Sequence, residues 1–171
     1  MAGYLSLESL AYKRYMKRNG LLVPFTDEEL MMLTVAGGVS IVCSDNTIDA
    51  DSHIKAIIPT NLNQFFGGPL QFARSYGNFN EAMARGLVDT MIEGMDHKGT
   101  RALFNIFHDP CGMATKYGHS LKFIVEVMVL EVVDFFRGYS FFDPARIHNL
   151  IHFKLLEEDG IKQRSYFLNL A

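Results

Sequence analysis

The spacing of apolar and polar positions changes along the chain, and each change predicts an element. Residues 6–20, "SLESLAYKRYMKRNG", read as a first helix ending at Gly20. Thr26 and Glu29 in "FTDEEL" have the spacing of a capping box that opens a short second helix. After Gly37 and Gly38, "VSIVC" is an unbroken β-branched run stopped by polar "SDN". That is the pattern of a strand buried on both faces of a parallel sheet, with Cys43 at its carboxyl end.

A mixed connection follows, with helical character around residues 52–58, broken by Pro59 and by Gly67 and Gly68. "PLQFARSYG" predicts a second strand. Asn78 and Glu81 are expected to cap the next helix, whose Met83, Leu87, Val88, Met91, Ile92 and Met95 share one apolar face before Gly99 stops it. "RALFNIF" then predicts a third strand, parallel to the second across this helix, delivering His108 at its carboxyl end. From Ser120 to Gly138 the chain is strongly apolar, yet Lys122, Glu126, Glu131, Asp134 and Arg137 fall on about half of a helical wheel. Charges in that number argue against a membrane span and for a helix packed on a sheet or a partner subunit. The tail forms two β-rich halves around "EEDG", a terminal hairpin or edge strand.

The expected fold class is therefore α/β, with a mostly parallel central sheet flanked by helices and a terminal edge strand or hairpin. At 171 residues, 49% hydrophobic and with 14 phenylalanines, the chain can bury one good core. A single domain over 1–171 is expected, with 1–36 an N-terminal helical arm. The net charge of −3 gives no basic field, and Lys13, Arg14, Lys17 and Arg18 read as a solvated helix face. Neither nucleic acid nor membrane is an expected partner. The N-terminus lacks the features of a secretory signal, which predicts a cytoplasmic protein.

Only two cysteines occur, too few for a secreted disulfide scaffold. Ligands of open parallel sheets bind beyond the carboxyl ends of the strands. Cys43 and His108 both fall at such ends, and Cys111 follows His108 within "FHDPCG". Two thiols and an imidazole suit a borderline-soft tetrahedral ion such as Zn²⁺, with a fourth position for water or for Asp45. Spacing alone leaves a metal site, buried thiols beside a hydrogen-bonded histidine, and a lone disulfide all open.

Taken together, "CSDNT", "RSYGN" and "HDPCG" resemble, in order, the Cys-x-Asp-x-Arg, Arg-Asn-Ala-Gly-Asn and His-x-x-Cys-Gly motifs of the β-carbonic anhydrase family. The resemblance spans roughly residues 39–117 and implies that family's fold. It also implies reversible hydration of CO₂ to bicarbonate through zinc-bound hydroxide, with zinc on Cys43, His108 and Cys111. Asp45 would be the catalytic carboxylate, accepting a hydrogen bond from the bound water. The resemblance further implies a homodimer or higher homo-oligomer with an apolar cleft near the interface. The family arginine is replaced by Thr47, so Asp45 loses its guanidinium partner. Either Arg74 or Lys55 takes over, or Asp45 becomes the fourth ligand of a non-catalytic, zinc-stabilised binding or assembly protein. His119, soon after the metal motif, is a candidate proton relay.

Overall fold

The computed structural model describes residues 5–33, 38–43, 60–100, 102–157 and 160–170. Helix α1 (Leu7–Arg18) begins at Ser6, whose hydroxyl accepts the Ser9 amide proton at 3.0 Å, and it buries Tyr12 and Met16. Strand β1 is the pair Leu22–Val23. Helix α2 (Asp27–Leu33) opens with the capping box expected from the sequence. The Thr26 amide donates to Glu29 Oε2 at 2.7 Å, and the Glu29 amide donates to Thr26 Oγ1 at 3.1 Å.

Among the described residues, six strands form one sheet in the order β1-β6-β5-β4-β2-β3. They comprise β1 with β2 (Gly38–Cys43), β3 (Thr60–Phe65), β4 (Ala102–Asp109), β5 (Ile147–Glu157) and β6 (Gly160–Leu168). The pairs β2·β3, β2·β4 and β4·β5 are parallel, whereas β5·β6 and β1·β6 are antiparallel. Every residue of β2 is buried, as its unbroken β-branched run requires of a strand with neighbours on both sides. The terminal hairpin forms around "EEDG", and β1 lies beyond β6 at that edge of the sheet.

The structure differs from the sequence-based expectation at the second strand and at the helix after it. "PLQFARSYG" is not a strand: Gly68–Phe72 forms a 3₁₀ turn, and the strand that follows β2 in the sheet is β3, which starts nine residues before Pro69. Gly67 and Gly68 both take positive φ (83° and 52°) and Pro69 follows, so the chain curls at the point where a strand would have to extend. β4 thus shares its direction with β3 but pairs with β2, which lies between them. Helix α3 (Glu81–Lys98) is capped by Asn80, not Asn78; Asn80 Oδ1 accepts the Met83 amide proton at 2.9 Å. Its inward face carries Ala84, Val88, Met91 and Met95, while Met83 is exposed. Gly99, at φ 65°, ends it as expected. The segment 52–58 lies outside the described residues.

After the short helix α4 (Gly112–Lys116), the long apolar segment runs as α5 (Leu121–Phe123), a π turn (Ile124–Met128) and α6 (Val129–Arg137). Its buried side is Leu121, Ile124, Val125, Met128, Val129, Val132, Val133 and Phe136, and its five charged residues stay at the surface or half-buried. No helix among the described residues is long and apolar enough to cross a membrane. The main core packs these helices with α1 and α3 against Val39, Ile41, Leu103, Phe107, Ile151 and Phe153 of the sheet. Because strand side chains alternate, the intervening Val42, Phe104, Ile106 and Leu150 form a second, smaller cluster on the opposite face.

His148 stacks on Phe104 of that cluster with ring centroids 5.0 Å apart. Burial lowers its pKa, so the folded state favours the neutral ring. The stability this contributes is present above the ordinary histidine pKa of about 6.5 and is lost as pH falls below it. The melting temperature should therefore fall between about pH 7 and pH 5, and His148→Phe should flatten part of that decline in thermal melts.

Candidate metal centre

The site lies where the strand connections diverge. From β2 the chain passes to β3 on one side, and from β4 it passes to β5 on the other, so the carboxyl ends of the adjacent strands β2 and β4 flank a topological switch point. Cys43 is the last residue of β2, and His108 is the penultimate residue of β4. Asp109 ends β4, the Asp109–Pro110 peptide is cis, and Cys111 leads directly into α4. Cys43 Sγ, a ring nitrogen of His108 and Cys111 Sγ all lie within 4.8 Å of one another. The three residues are 3%, 5% and 3% exposed, and both cysteines are free thiols.

His108 is oriented for ligation. Its Nδ1 is 2.9 Å from the Pro110 carbonyl oxygen, which can only accept, so Nδ1 carries the proton. Nε2 is then the bare lone pair, and it is buried without a hydrogen-bond partner among the described residues. A backbone carbonyl that fixes the tautomer in this way is the usual second partner of a metal-binding histidine.

The thiols are arranged to share charge. The Gly67 amide donates to Cys43 Sγ at 3.2 Å. The Cys111 thiol is pushed well above its usual range, first by its hydrogen bond with the Cys43 side chain, then by burial and by charge on Cys43. The amides of Met113 and Ala114 act against this but do not overcome it. Two buried thiolates side by side need a cation, and a divalent ion supplies what the amides cannot. Tetrahedral Zn–S and Zn–N bonds of about 2.3 and 2.0 Å place ligand atoms roughly 3.5–3.8 Å apart, within the span of the observed set. The donors present therefore fit zinc.

Gly67, Leu70, Phe107, His108, Cys111 and Ile124 contribute to the lining of a cavity of about 10 Å³ beside the ligands, room for about one water. Ile124 opens the π turn, a helix irregularity frequent at functional sites.

The other candidate residues fall as follows. Asp45, Thr47 and Lys55 lie outside the described residues, as does His53. Arg74 is exposed and lines a surface pocket with Glu131, Asp134 and Phe135. "RSYGN" therefore follows the 3₁₀ turn, and it is Phe66 and Gly67 that directly follow β3. Asp109 is buried against α1; burial raises its carboxyl pKa, opposed by a hydrogen bond with Ser9 and by His108. His119 stacks on Phe123 at 5.2 Å, beside Tyr117 and Tyr76. His152 is the register neighbour of His108 on β5, with Nδ1 2.8 Å from Ser165 Oγ.

Gly67 and Gly68 are missing from the set that motif spacing singles out, and Tyr76, although it lies within "RSYGN", carries no role in that reading. Gly67 caps a ligand sulfur, Gly68 packs directly against the backbone of Cys43, and the Tyr76 hydroxyl is buried beside Gly67. The Gly-Gly pair before Pro69 was the available signal.

Fold and donor set together define an α/β protein with three buried candidate metal donors, Cys43, His108 and Cys111, grouped at a sheet switch point. No known protein family and no curated protein matches the sequence.

Proposed function

We propose that this chain is a zinc-dependent, β-carbonic-anhydrase-like lyase that interconverts CO₂ and bicarbonate. The observation that carries this reading is the grouping of Cys43 Sγ, Cys111 Sγ and a ring nitrogen of His108 within 4.8 Å of one another, with His108 Nε2 buried and without a hydrogen-bond partner among the described residues. Three protein donors are the number found in catalytic zinc sites, where a fourth position stays open. When bound, zinc supplies a Lewis acid that makes hydroxide available near neutral pH.

The chain's own residues do the rest. Cys43, His108 and Cys111 hold the ion, and the Pro110 carbonyl keeps the imidazole turned to present Nε2. The Gly67 N–H takes up part of the charge on Cys43 and moderates the electron density that the sulfur donates. Leu70, Phe107 and Ile124 give the adjoining space an apolar wall, suited to a small linear molecule without charge. Asp45, two residues beyond Cys43, would accept a hydrogen bond from the attacking water in this scheme and orient it. Thiol ligands suit a reducing, cytoplasmic compartment, and a homodimer would complete the cleft.

Stopped-flow measurement of CO₂ hydration on zinc-loaded protein between about pH 7 and pH 9 tests the reading, and the expected rate exceeds that of buffer. Stoichiometric zinc with no rate above buffer would instead assign a non-catalytic zinc-stabilised protein with Asp45 closing the site.

A further inference from the structure

Tyr76 is 2% exposed, yet its hydroxyl has no hydrogen-bond partner among the described residues. Leaving a phenol unpaired in the interior forfeits the hydration it had in the unfolded chain, and phenylalanine would fill the same space without that loss. The hydroxyl thus points to a partner that the protein chain does not supply.

Its location indicates which. A Cβ built on Gly67 would lie 2.8 Å from Tyr76 Oη, so the hydroxyl occupies the space that the missing side chain leaves. Gly67 is the residue whose amide reaches Cys43 Sγ, and it lines the same cavity as His108 and Cys111. Tyr117 meets the Tyr76 ring edge-on at 5.2 Å, which fixes the direction of the C–O bond. Burial first, then Tyr117, Cys111 and Cys43, push the phenol above its usual pKa. A phenol's ordinary pKa of about 10 already keeps it a proton-bearing donor through the neutral range. Among the described residues neither sulfur takes its hydrogen bond.

We propose that Tyr76 is a specificity-determining residue, whose hydroxyl donates a hydrogen bond to a small oxygen-donor anion of the bicarbonate class in the place left open by Cys43, His108 and Cys111. This rests on the metal reading of the centre and deepens it. The hydroxyl favours ligands that present a hard acceptor oxygen and gives little to a large soft halide. Gly67 is required as well, because any side chain there would displace the hydroxyl.

The test uses full-length protein loaded with Co²⁺, whose visible absorption reports its coordination, titrated separately with bicarbonate and with iodide. Tyr76→Phe is expected to weaken bicarbonate binding by about 10- to 100-fold, the range for a hydrogen bond to a charged group. Iodide affinity and the affinity for Co²⁺ itself, measured by chelator competition, should stay within about 3-fold, the usual scatter of such contributions. Unchanged bicarbonate affinity overturns the proposal. So does a parallel fall in all three affinities, which would make Tyr76 a structural residue. Tyr117→Phe, which keeps the edge contact, should change none of them. If the unaltered protein takes up no Co²⁺, the metal reading falls and this inference with it. Normal Co²⁺ uptake with no effect of Tyr76→Phe rejects this inference alone.

Discussion

The Cys43→Ser, Cys111→Ser double variant will retain no zinc after dialysis, whereas the unaltered protein will keep about one ion per chain, the stoichiometry of a three-donor site. Serine preserves the size of each side chain but replaces a soft, ionisable sulfur with a hydroxyl that stays protonated, and so removes the charge that binds the metal. Loss of a single outer partner of a ligand already costs about 10- to 100-fold in metal affinity, so loss of two direct ligands should exceed that range. Proton release gives an independent check. Cys111 is held in its protonated form by the neighbouring Cys43 thiol and by burial, and a metal binds the thiolate, so zinc uptake must expel thiol protons and strengthen as pH rises. In weakly buffered solution the unaltered protein should acidify the medium on zinc addition and the double variant should not. The variant should melt close to the metal-free protein, because in both the centre carries no ion. Zinc retained by the double variant would reject the ligand set.

The centre was legible in the sequence because its donors sit at points that local pattern marks. Cys43 ends a run rich in Val and Ile, His108 lies near the end of a mostly apolar run, and Pro110 separates it from Cys111 at the start of a helix. The buried face of the long helix was equally legible, since five charges confine the apolar side to one half of the wheel. Strand β3 was not. Its sequence "TNLNQF" is two-thirds polar, and among the described residues it lies at the end of the sheet with β2 as its one strand neighbour. An end strand is free of the apolar demand that a central strand meets, so period and composition are poor guides to it. "PLQFARSYG" has the better strand composition but follows two glycines at positive φ, and a turn results. Tyr76 and Gly67 escape any reading by spacing for a related reason. They reach the centre only after this turn folds back over the end of β2, a closure that depends on tertiary packing.

That closure makes Gly68→Ala the most damaging single methyl that the centre can receive. Gly68 lies at φ 52°, where an L side chain costs about 1–2 kcal/mol through its own backbone. The added Cβ would also stand 2.7 Å from the Val42 carbonyl carbon and 2.9 Å from Cys43 Cα, and closer still to the Cys43 nitrogen. These are backbone atoms of a fully buried strand, so no side-chain rotation relieves the overlap, which costs about 1–3 kcal/mol more. A total of about 2–5 kcal/mol corresponds to a fall of roughly 4–20 °C in melting temperature for a chain of this size. Gly99→Ala separates the two causes. Gly99 has a similar φ of 65°, but a Cβ there meets no atom within 4 Å, so only the backbone strain remains. Because the Gly68 methyl presses on Cys43 itself, relief must come from movement of the turn or of the end of β2, and either displaces a ligand sulfur. Gly68→Ala should therefore weaken zinc binding in chelator competition, while Gly99→Ala lowers the melting temperature by a few degrees and leaves zinc affinity intact. Equal melting temperatures and equal zinc affinities for the two variants would show that the turn does not hold Cys43 in place.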